Sequence, residues 1–204
     1  MSIQRKTTIA SWIIVGLIVV AGGIALWQQQ RILISATDAI DRDGLQSNLC
    51  SQIATGALQC RRYEKDGFLN IADPSKRESY FQKWTKAYTN LLGNIGILQA
   101  AARSEEQYID AVNLHHNAER YKKSFLIVWK QILEGKIQTP SQANLALPPY
   151  KEDIRGIIKV ASRQAEEKSI LAATSGKKLK AKIYSNVAIT LLLVLLPSIC
   201  VLTW

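Results

Sequence analysis

The stretch "YFQKWTKAYTNLLGNIGIL", Tyr80 to Leu98, decides the fold. Its apolar residues recur at intervals of three and four: Tyr80, Trp84, Tyr88, Leu91 or Leu92, Ile95 and Leu98. That spacing puts them on one stripe of an α-helix and excludes a strand, whose side chains alternate with a period of two. A helix with one apolar stripe needs partners to cover it. Similar stripes are read at Tyr108, Val112, His115, Phe125, Val128 or Trp129, and Ile132. A third runs through Ile154, Ile157, Ile158, Ala161, Ala165 and Ala172.

The breaks between these segments are legible. "ADPS", residues 72–75, stops one helix, and Ser75 with Glu78 fits a capping box for the next. Ser104 with Gln107 repeats the signature. Glu134 to Tyr150, "EGKIQTPSQANLALPPY", reads as a loop from its glycine and prolines. Four helices are therefore predicted, about 28–71, 75–102, 105–134 and 150–185. The expected fold is all-α, an antiparallel up-down-up-down four-helix bundle.

Two uncharged apolar runs flank this middle. "TTIASWIIVGLIVVAGGIALW", Thr7 to Trp27, exceeds the roughly 7–15 residues of a signal-peptide core, so a retained anchor is expected over a cleaved leader. "NVAITLLLVLLPSICVLTW", Asn186 to Trp204, is the second run. Each is long enough to cross a hydrocarbon core of ~30 Å. The expected organisation is a cytoplasmic N-terminus at 1–6, a transmembrane helix at 7–27, an extracytoplasmic bundle at 28–185 and a second transmembrane helix at 186–204. The expected location is a membrane, multi-pass, with the bundle on the outer side. Arg5 and Lys6 favour this orientation, whereas Lys177, Lys178, Lys180 and Lys182 oppose it.

The chain carries 26 Lys and Arg against 16 Asp and Glu in 204 residues. Such an excess points to nucleic acid, an anionic membrane surface or anionic ligands. The cations are spread along helices and no nucleic-acid module is recognisable; many of them lie close to an apolar run, so a membrane is the expected partner. No phosphate loop, nucleophile elbow or metal spacing is present, and no catalytic residue, metal or cofactor is expected. His115 and His116 are adjacent, so on a helix they point apart and read as ordinary face residues. Cys50 and Cys60 would lie ~15 Å apart along one helix, too far for a disulfide.

"CRRYEKDGFLN", Cys60 to Asn70, carries the densest charge. On a helix Arg62 attracts Asp66 at i,i+4, while Arg61 repels Lys65. The stretch closely resembles a segment in the sensor domains of bacterial methyl-accepting chemotaxis receptors and related sensor kinases. There Arg-Arg-x-Glu-Lys-Asp precedes large apolar residues near the end of the first sensor helix. Arg61, Arg62, Glu64, Lys65 and Asp66 match, and Phe68, Leu69 and Asn70 continue the pattern. The resemblance implies the sensory portion of a receptor in a bacterial inner membrane, with the bundle in the periplasm or outside, a homodimer packed through its first and last helices, and a small, anionic ligand bound among the helices. Binding would shift the last helix and so transmit a signal. Arg61, Arg62 and Lys65 are the expected ligand-binding residues. The family's cytoplasmic signalling part has no counterpart in these residues. The alternative is a membrane-anchored structural or protein-interaction bundle without a ligand. Gly67 stands where the family commonly has a bulky apolar residue. Glycine costs about 1 kcal/mol in a helix interior, so fraying or bending is expected there.

Overall fold

The computed structural model describes residues 3–202, and within them all side chains except those of residues 3–10, 13, 14, 17, 21, 148, 149 and 193–202. Five helices make up the described chain: α1 (Ile3–Leu69), α2 (Pro74–Ala100), α3 (Glu105–Leu133), α4 (Pro140–Ala146) and α5 (Pro148–Leu202). No strand occurs among the described residues. The chain divides into two compact units. One comprises Gly44–Ser169; the other comprises Met1–Asp43 with Ile170–Trp204.

The Gly44–Ser169 unit is a four-helix bundle with α4 in its last connection. Its buried core runs from Leu49 on α1 to Ala161 on α5 and draws on all five helices. The pairings fix the directions. Trp84 meets Tyr121, and Phe81 meets Trp129, so α2 and α3 run antiparallel. Asp110 meets Gln164, and Arg120 meets Asp153, so α3 and α5 do likewise. The stripe on α2 is buried as predicted at Trp84, Tyr88, Leu91, Ile95 and Leu98. On α5, Ile154, Ile157 and Ala161 are fully buried.

The first half of α3 departs from expectation. The buried positions are Ala111, Leu114, Ala118 and Tyr121, while Tyr108 is 49 % exposed. Two alanines allow α3 to lie close to its neighbours, and alanine gives a weaker hydrophobic signal than tyrosine or valine. The cap of α2 also differs: Asp73, not Ser75, is the N-cap, and its carboxylate accepts from the Lys76 amide at 3.0 Å. Pro74 then occupies the first helical turn, where it sacrifices no helical hydrogen bond. Ser104 caps α3 as expected, accepting from the Gln107 amide. Within the presumed loop, Thr139 and Gln142 form a full capping box that starts α4. Gly135, at φ 71°, ends α3. The Lys136 amide bonds the Gln131 carbonyl and the Gly135 amide bonds that of Ile132, the Schellman arrangement.

The expected membrane location is corrected. Among the described residues no helix is long and apolar enough to cross a membrane. A spanning helix needs about 20 consecutive, predominantly apolar residues. The described side chains of α5 stop at Leu192, and much of the remainder of 7–27 and 186–204 lies outside the described side chains. The multi-pass inner-membrane placement, with its flanking transmembrane helices, is therefore set aside.

α1 does not stop at Gly67 but continues through it to Leu69. A Cβ on Gly67 would stand 2.9 Å from Cζ3 and 3.2 Å from Cη2 of Trp129. That indole lies 4.9 Å from the Phe81 ring and 5.5 Å from the Phe125 ring, centroid to centroid, so it has little room to retreat. Gly67→Ala should therefore destabilise the chain by about 1–3 kcal/mol from overpacking, despite gaining helix propensity. Urea unfolding checks this. Trp129→Phe removes the clashing ring, so in the double variant alanine should cost less than it does alone. A Gly67→Ala chain as stable as the parent would show that the close approach does not matter.

Candidate functional site

The RRYEKD stretch lies in the last three turns of α1, and its side chains divide between interior and surface. Glu64 is fully buried. It forms an ion pair with Arg61, whose side chain is 12 % exposed. Tyr121, on α3, donates its hydroxyl to the other Glu64 oxygen at 2.9 Å. Trp84, on α2, donates its indole N–H to the Tyr121 oxygen at 3.0 Å. One carboxylate thus joins three helices through side-chain hydrogen bonds. Removing the Tyr121 hydroxyl would leave both the carboxylate and the indole short of a partner, an effect of about 1–3 kcal/mol for a buried group.

Burial pushes the Glu64 carboxyl above its ordinary value, while Arg61, Tyr121 and Lys151 pull against that shift. The Tyr121 phenol is raised by burial first and then by the negative charge of Glu64, so it stays a hydrogen-bond donor. Burial likewise lifts the Cys60 thiol to about 12, with Glu64 adding to the effect. Cys50 is lifted to about 11 by burial. Both are buried free thiols, held neutral and so unsuited to nucleophilic work.

Above this network lies a recess of about 390 Å³ between α1, α4 and α5. Arg61 and Lys65 enter it from α1, and Lys151 and Arg155 from α5. Asn144 and Pro140, on or at the start of α4, and the apolar Phe68 and Leu69 complete it. Among the described residues none of its lining side chains is a carboxylate. Lys151 donates to the Asn144 carbonyl at 2.8 Å, fixing α5 to α4. Arg155 reaches Glu152 at 2.7 Å, an exposed pair on its own helix, which contributes little. Lys65 has no side-chain hydrogen bond or ion pair among the described residues. Four cations thus converge on one concave surface, where an anion would offset their mutual repulsion.

Of the three residues expected to bind ligand, the structure brings Arg61 and Lys65 to this recess. Arg62 is not among its lining residues. It lies 75 % exposed and 3.8 Å from Asp66, the weak i,i+4 pair expected from the sequence. Sequence reasoning missed Lys151 and Arg155, whose spacing of four at the start of α5 places both on one helix face. Trp84 and Tyr88 are core residues, and Tyr88 donates to Glu119 at 2.6 Å. His115 and His116 have rings 6.4 Å apart and nearly perpendicular.

The raised Glu64 carboxyl has a consequence for stability against pH. A group whose folded pKa exceeds its unfolded value stabilises the fold below the unfolded value, about 4.3 for glutamate. That contribution is lost as pH rises through the folded value. Glu64→Gln removes it. The variant should therefore gain stability relative to the parent as pH is raised from 4 towards 8, followed by urea unfolding. A relative stability that moves the opposite way would mean that Arg61 outweighs burial.

No protein-family model, curated protein or solved structure matches this chain.

Proposed function

We propose that the Gly44–Ser169 bundle is a ligand-sensing module of the chemotaxis-receptor type, and that its recess takes a small organic anion. The observation that carries this reading is the convergence of Arg61, Lys65, Lys151 and Arg155 around a space of about 390 Å³. That volume falls in the usual range of small-molecule sites. A carboxylate pair would suit it, because guanidinium groups bind carboxylates in a planar fork and lysines add point charge.

Signalling then follows from where the cations stand. Two are on α1 and two on α5, which are distant in sequence. An anion between them draws the two helices together, and it shifts their equilibrium only by binding one arrangement better than the other. α5 is one unbroken helix from Pro148 to Leu202, so a displacement at its start propagates along its length. The homodimer implied by the resemblance belongs to the same proposal. Leu45 and Leu58 on α1, 55 % and 54 % exposed, offer it apolar surface.

A second reading is a helical interaction module that binds a protein and no small molecule. It is favoured by Ile109, Leu126 and Ile127 on α3, which are 49 %, 37 % and 50 % exposed.

Titration calorimetry with sodium succinate at constant ionic strength tests the first reading. Saturable binding is expected, weakened at least about tenfold by Lys65→Met and by Arg155→Met, since tenfold is about 1.4 kcal/mol and a charge-assisted hydrogen bond reaches that. Both residues are exposed, so neither change should disturb folding. Binding that survives in both variants would remove the recess from consideration. If a panel of small anions gives no heat at all, the interaction module is the better account.

A further inference from the structure

A second concave site lies in the same bundle, and its chemistry is of the opposite sign. It begins at Gln46, fifteen residues before Arg61 on α1 and so about 22 Å away along the helix axis. The recess has a volume of about 190 Å³ and is formed by α1, α2, α3 and α5. Glu106 and Asp110 enter from α3 and Glu167 from α5, with Lys168 as the only cation among its described lining residues. Leu98 and the neutral thiol of Cys50 supply an apolar wall.

Part of this lining is already fixed. The Gln164 amide nitrogen donates to Asp110 at 2.8 Å, and the Cys50 thiol contacts the Gln164 oxygen at 3.7 Å. Glu167 lies 3.7 Å from Arg163 in an exposed pair on α5. Gln46 is different. It is only 4 % exposed, it lines the recess, and its side-chain amide has no hydrogen-bond partner among the described residues. The residue is otherwise enclosed, and its amide atoms are reached only from this recess, since the one fully buried side-chain polar atom without a partner among the described residues is Arg42 Nε. Here the amide opens onto a space walled by carboxylates, where a donor-rich cation would meet its oxygen.

We infer that this recess binds a short-chain organic amine in its ammonium form. The ammonium group has three donors, which Asp110, Glu106 and the Gln46 oxygen can accept. The alkyl chain lies against Leu98 and Cys50. An organic cation suits the site better than a metal ion, because among the described residues no three His, Cys, Asp or Glu side chains are grouped to hold one. An organic anion would face three carboxylates against one lysine. The site is independent of the cationic recess, and either can fail without the other.

The test is titration calorimetry of the full chain with n-butylammonium chloride, set against sodium butyrate and sodium chloride at matched ionic strength. Saturable binding is expected for the ammonium salt and for neither control. Asp110→Asn and Gln46→Met should each weaken it at least tenfold, and Glu106→Gln less. Urea unfolding of each variant separates lost binding from lost fold. Gln46→Met conserves shape, so it carries the test if Asp110→Asn unfolds. Absence of saturable binding by n-butylammonium would overturn the inference, as would equal binding of butyrate or unchanged affinity in folded Gln46→Met.

Discussion

The burial of one carboxylate governs the Gly44–Ser169 bundle. Glu64 has no solvent to fall back on, so its charge must be answered by Arg61 and Tyr121. An isolated buried ion costs several kcal/mol, and the cost is recovered only if geometry supplies the partners. Meeting that demand sets the register of α1 against α3, and Trp84 brings α2 into the same network. It also fixes the Arg61 guanidinium at the floor of the cationic recess. Core and site are therefore linked through one side chain, and a change to Glu64 reaches both.

Aromatic packing complements this polar tie. Phe81, Trp84, Phe125 and Trp129 form a continuous set of ring contacts between α2 and α3. Such contacts are worth about 0.5–1.5 kcal/mol each beyond area burial. Gly67 lets α1 approach this layer closely enough to cover Trp129. The residue that departs from the resembling pattern is thus explained by what packs on it, and the loss of helix propensity at Gly67 is offset by contact that a larger side chain would prevent.

Most of the helical order was legible from apolar spacing, because large side chains at intervals of three and four leave little freedom over Tyr80–Leu98 and Ile154–Ala161. The slip on α3 arose where Ala111 and Ala118 bury silently while Tyr108 lies outside. α4 was obscured by its prolines and its brevity, although Thr139 and Gln142 carried its start signal. Arg61 and Lys65 could be picked from a local run of charge. Lys151 and Arg155 could not, since only the folded chain brings the start of α5 beside the end of α1. Arg62 looked equivalent to Arg61 in one dimension; the helix turn between them sends one inward and one to solvent. The paired apolar runs suggested a membrane, and the described helices do not sustain it.

Cys50 and Cys60 give the bundle a built-in gauge of its own opening. Both thiols are buried and held neutral at physiological pH; Cys50 lines the acidic recess, and Cys60 precedes Arg61 of the cationic recess on α1. An alkylating reagent meets a reactive thiolate only when the helices part, so its rate measures local opening. Cys50 touches Gln164 beside the acidic recess, and Cys60 lies one turn from Glu64. The two residues therefore report on separate stretches of the bundle: occupancy of the acidic recess can be followed at Cys50 while Cys60 serves as the internal reference.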